Sequence, residues 1–75
     1  MDNAADLHPL TAVRTARGWT LDRMAREIGV KRNTVWRWEN GRMPRPEDWK
    51  RIETATGVTG AELAAWESHR AGAAA

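Results

Sequence analysis

Arg32, Asn33, Trp36, Arg37 and Asn40 follow one another at the spacing i, i+1, i+4, i+5 and i+8. On a helix such residues share one side, because positions three and four apart are neighbours. Arg can bond guanine O6 and N7 in bidentate fashion, and Asn can do the same with adenine N6 and N7. A stripe of Arg, Asn and Arg is therefore equipped to read base edges, with Arg32, Asn33 and Arg37 as the candidates. Trp36 shares that stripe. It could press on thymine methyls or sugar edges, or it could cover a neighbouring helix. The plain alternative for each polar member is an ordinary solvated side chain.

The charge distribution points the same way. Twelve Lys and Arg against ten Asp and Glu leave only +2 over 75 residues, but the balance is uneven along the chain. Residues 1–30 carry four basic and four acidic side chains. Residues 31–51 carry seven basic and three acidic, net +4, and residues 52–75 carry one basic and three acidic, net −2. A positive centre between neutral and acidic flanks suits a surface that faces a polyanion. On charge alone, a solvated mixed-charge face would serve as well. Lys31, Asn40, Arg42 and Arg45 flank the stripe, and each could reach a phosphate. Such contacts add affinity and salt dependence but little sequence information.

The elements that position these groups are short helices. Gly18, Gly29, Gly41 and Gly57 each follow a stretch of helical spacing, where a residue that accepts positive φ ends a helix cheaply. Pro9 and Pro46 stand where a helix can begin without their missing N–H. Between these marks the pattern predicts five helices, over about 9–17, 21–28, 32–40, 46–56 and 60–69. Their inward residues are Leu10 and Val13; Met24, Ala25 and Ile28; Val35 and Trp38; Trp49, Ile52 and Ala55; Leu63 and Trp66. The spacing is three or four throughout, and no alternating β-branched run occurs. The fold class is all-α. Thr20 suits the N-cap of the second helix, where free amides also attract phosphate. Trp19, Trp38 and Trp49 read as core, whereas Trp66 could either cap the core or join a dimer contact.

The second and third helices are joined by so few residues that they must cross steeply, which imposes a pattern. A small side chain is needed at the crossing, and Ala25 is there. A residue tolerant of positive φ is needed in the turn, and Gly29 is there. Met24, Ile28, Val30, Val35 and Trp38 supply the apolar positions before, within and after the turn. On this set, and on LTAVRTARGWT, MAREIGV, TVWRWENGR and RIETATGVTGAEL, the chain resembles the lambda-repressor-like, Cro/CI or XRE-type helix-turn-helix domains. The likeness covers roughly Leu10 to Leu63.

The resemblance implies a five-helix DNA-binding module in which the second helix braces on the DNA backbone and the third enters the major groove. It also implies dimers on two-fold operators, and a pair between Arg14 in the first helix and Glu39 at the end of the third. Three residues depart from the family pattern. Leu21 stands where many members have Gln, so a polar contact there is lost or becomes apolar. Lys31 replaces the usual Ser or Thr before the third helix, exchanging a cap for a charge. Trp36 occupies an outward position where small or polar residues are usual.

The chain is the size of one small domain. A flexible terminus is expected over residues 1–7, a domain over 8–70 with its motif at 21–40, and an Ala-rich tail expected to fray over 71–75. Without Cys there is neither a disulfide framework nor a Cys-based zinc site, and His8 and His69 are far apart for a metal. No cofactor is expected. There is no Gly-rich phosphate loop, and Asp22, Glu27, Glu47 and Asp48 read as helix-face charges, so an enzyme is not expected. No apolar run reaches membrane-span length, and a cytoplasmic, nucleoid-associated location is expected. The expected function is a sequence-specific double-stranded DNA-binding regulator, a small phage- or prophage-type repressor acting by promoter occupancy, homodimeric at least on DNA. An antitoxin that binds a toxin partner and autoregulates its operon is the alternative from another class. Non-specific nucleic-acid coating is a third.

Overall fold

The structure is a computed structural model that describes residues 7–74. The expectation for the N-terminal segment falls, over residues 1–6, outside the described residues. The chain forms α1 (Pro9–Ala16), α2 (Leu21–Ile28), α3 (Arg32–Glu39), α4 (Pro46–Thr56) and α5 (Gly60–Ala74), and no strand is present among the described residues.

Local chemistry accounts for most boundaries. Pro9 opens α1, and the preceding His8 acts as its cap, Nδ1 accepting the Leu10 N–H at 3.1 Å. Thr20 caps α2 by accepting the Arg23 N–H at 3.1 Å. Gly29 ends α2 at φ +91°, a conformation a side chain would strain, and its N–H bonds Ala25 O at 2.8 Å. α3 begins without a side-chain cap at Lys31, as its residue type predicts. Thr59 accepts the Glu62 N–H at 3.1 Å at the start of α5. That last helix does not stop near residue 69: it continues through residues 71–74. Ala has the highest helix propensity of any residue, so an Ala-rich end propagates a helix already nucleated upstream.

Leu10, Met24, Ala25, Ile28, Val35, Trp38, Ile52, Val58 and Leu63 form the buried core. α2 packs chiefly on α3 and α4, and α5 on α4 and α1. Ala25, 4% exposed, lies with Met24 and Ile28 on the buried side of α2, the helix that packs on both α3 and α4. Trp19 and Trp49 pack against this core without entering it. Trp49 keeps its indole N–H at the edge, donating to Pro44 O at 3.0 Å. Its ring lies so close to Gly60 that a Cβ there would overlap it, so Trp49 and the start of α5 meet this closely only with Gly at that position.

Candidate nucleic-acid interface

α3 divides into two sides. Val35 and Trp38 are 0% and 4% exposed and anchor it in the core. Arg32, Asn33, Trp36 and Arg37 are all exposed on the opposite side, so all four base-reading candidates lie together on one surface. Trp36 is 51% exposed, so about half of its surface faces solvent. Arg32 has a neighbour the sequence did not suggest: its Nε lies 3.6 Å from Asp22 Oδ1, with both side chains more than half exposed. The guanidinium is thus lightly tethered to α2. An exposed pair of this kind contributes only about 0–1 kcal/mol, so an outside acceptor can displace it.

The phosphate candidates surround this surface with different degrees of freedom. Thr20 and Lys31 sit at the starts of α2 and α3, both exposed. Asn40 folds back: its Nδ2 donates to Trp36 O at 2.8 Å, a second bond to a carbonyl that already accepts the Asn40 backbone N–H at 3.0 Å. Only its second N–H remains for an outside acceptor. Arg42 and Arg45 line, together with Arg37, one cleft of about 230 Å³ between α3 and the start of α4. Glu47 and Asp48 line the same cleft, and Arg45 lies 4.0 Å from Glu47. Arg45 is therefore the most locally compensated of the flanking cations.

A family model for the helix-turn-helix domain matches residues 8–66, from the cap of α1 to Trp66 in α5. The chain belongs to the helix-turn-helix domain family. The match spans the whole of α1 to α4 and agrees with a Cro/CI-like, XRE-type domain. It makes the chain a DNA-binding regulator, of a kind typically without enzymatic activity. Comparison with curated proteins and with solved structures gives no match. No helix among the described residues is long and apolar enough to cross a membrane.

In this helix-turn-helix domain α3 is held at its C-terminal end by a network around Glu39. Arg14 Nε and Nη2 donate to Glu39 Oε2 and Oε1, both at 2.9 Å, and the Thr11 hydroxyl donates to Oε1 at 2.9 Å. Arg14 Nη1 donates to Trp19 O at 3.2 Å. The Glu39 side chain is 7% exposed and that of Arg14 22%. The hydrogen bonds that Arg14 donates to Glu39 raise the Arg14 pKa above its ordinary value, against desolvation. One carboxylate thereby ties α1 and the turn before α2 to the end of α3.

Three structural residues escaped the sequence reading. His8, considered there only as a metal ligand, is 7% exposed, caps α1 and meets the Trp66 ring edge-on at 4.7 Å. Trp66 thus seats α5 against α1. Burial lowers the His8 pKa; nearby Glu39 and Glu67 oppose this and Arg70 adds to it. The signal in the sequence was the position directly before Pro9, where a cap is required. Arg17 donates to Ala55 O and Thr56 O at 3.0 and 3.3 Å, taking up carbonyls at the end of α4, and stacks on Trp19. Arg51 donates to Gly29 O at 3.3 Å and so touches the turn of the motif. No local pattern announces those two contacts.

Proposed function

We propose that this chain is a sequence-specific double-stranded DNA-binding transcriptional regulator, a small repressor of phage or prophage type that acts by occupying a promoter. α3 lies in the major groove with Arg32, Asn33 and Arg37 toward base edges. Thr20, Lys31, Asn40, Arg42 and Arg45 engage phosphates on either side, and two copies occupy a two-fold operator on the nucleoid. The observation that carries the reading is the division of α3: Val35 and Trp38 are buried while Arg32, Asn33 and Arg37 stand exposed and adjacent. Because core packing already fixes α3, Arg and Asn pair with bases without ordering the backbone, and only their side-chain rotamers are immobilised.

The test is binding of the full chain to duplex DNA from upstream of its own gene, with scrambled competitor at near-physiological salt. Retention on the upstream duplex against excess competitor supports the proposal. Equal loss to the competitor leaves only the salt-dependent, sequence-blind mode. The antitoxin reading draws support from one feature, the extension of α5 to Ala74, which provides helix outside the motif. Co-purification of a stoichiometric toxin on that helix would favour it.

A further inference from the structure

Trp36 is the one exposed large hydrophobic side chain among the described residues, at 51%. It does not lie at an edge of the fold but in the middle of the polar stripe of α3. Asn33 precedes it by three residues, Arg32 by four, and Arg37 follows directly. The Asn40 carboxamide closes on the Trp36 carbonyl oxygen, which ties down the backbone that carries the ring. An indole left half in water forfeits burial that the core could have given it. The cations beside it also argue against an apolar partner: a protein surface seated on Trp36 would have to desolvate Arg32 and Arg37 as well. A duplex offers those same cations acceptors on bases and phosphates that offset their desolvation. In the major groove each base pair offers hydrogen-bonding groups, and the thymine C5-methyl is the apolar group among them.

We propose that Trp36 is a specificity-determining residue that selects thymine by covering its C5-methyl in the major groove. The inference rests on the DNA-reading role of α3 given above. Asn33, one turn earlier on the same side, reads adenine on the adjoining edge, so the two residues together favour an A·T-containing step. The methyl moves from water to the indole face, and the flanking guanidiniums keep their hydrogen bonds to bases or phosphates.

The test starts from a site selected out of a randomised duplex pool by the full chain. Each thymine of that site is then replaced singly by uracil, which removes one methyl and nothing else. Wild-type protein loses about four-fold in affinity at one thymine per bound copy, the equivalent of burying one methylene-sized group at about 0.8 kcal/mol. Trp36→Ala binds the thymine and uracil duplexes equally at that position, and Trp36→Phe restores part of the difference. Because Val35 and Trp38, not Trp36, anchor α3 in the core, both variants remain folded, with a cooperative thermal transition. Uracil penalties that are the same in wild type and Trp36→Ala overturn the proposal, whether or not the variant also changes self-association. A pool that enriches no sequence overturns the DNA-reading role itself, and the two failures are thereby distinguished.

Discussion

α3 has an ion pair at each end, and the two differ in every respect except their chemistry. At its C-terminal end Glu39 receives Arg14 in bidentate fashion, with the carboxylate 7% exposed and Thr11 adding a third bond. At its N-terminal end Arg32 stands 3.6 Å from Asp22, with side chains 57% and 74% exposed. Around Glu39 water has been replaced by fixed donors, so loss of one partner strands a charge. Around Asp22 water competes with the pair at every moment, and the guanidinium remains available to a stronger acceptor. The first pair ties α3 to α1; the second leaves the Arg32 guanidinium able to exchange partners. Burial and bidentate geometry together separate the two pairs.

The largest test of that contrast is Glu39→Ala. It should destabilise the domain by about 3–5 kcal/mol in denaturant titration, because Arg14 is left without its carboxylate. A loss below about 1 kcal/mol would erase the distinction between the two pairs. On the outward side of α3, Arg37→Ala should cost about 1–3 kcal/mol in binding and relax preference at one base pair, while leaving the thermal midpoint unchanged. Arg42→Ala should weaken all sequences alike and make the salt slope shallower by about one. If Arg37→Ala behaves in the same uniform way, Arg37 joins Arg42 and Arg45 around the shared cleft as a phosphate contact.

A smaller effect concerns the other buried titratable group. The folded state holds His8 below its ordinary pKa of 6.5, chiefly by desolvation. The unfolded chain therefore takes up the proton first. The contribution of His8 is complete above pH 6.5 and diminishes as pH falls below it toward the folded-state pKa. Protonation would also turn the Nδ1 acceptor that caps α1 into a donor. The thermal midpoint of wild type should drop between about pH 7 and pH 5 more steeply than that of His8→Asn, which keeps a capping acceptor without titrating. Parallel profiles would remove His8 from the pH dependence. The smallest expected effect is that of Asp22→Asn. Stability should change by less than about 0.5 kcal/mol. Affinity for DNA should tighten by about two- to five-fold, the worth of an exposed ion pair that no longer competes for Arg32.

Much of the architecture was legible in the residues themselves. The starts and ends of α2 and α4 were expected where they occur, since Thr20, Gly29, Pro46 and Gly57 act on neighbours within one turn. The inward stripes Met24/Ala25/Ile28 and Val35/Trp38 were likewise given by spacing of three and four. The exposed side of α3 followed by subtraction. Trp19 and Trp49 were harder, because size and spacing indicate a core residue but not how far a ring enters. Both remain at the margin, Trp19 under the guanidiniums of Arg17 and Arg23, and Trp49 between Pro44 and Gly60.

Sequence by itself determined the helices, their polarity and the set of side chains on the outward side of α3, because each depends on interactions within a turn or two of chain. Tertiary structure alone decided that His8 would meet Trp66, that Arg17 would reach the carbonyls ending α4, and that Arg32 would lean on Asp22. Those pairings join residues ten to fifty-eight positions apart, and they arise from how whole helices cross once their apolar stripes are buried together. Hydrophobic burial is non-directional, so it sets which sides face inward while leaving the polar contacts between elements to the geometry of the packed helices.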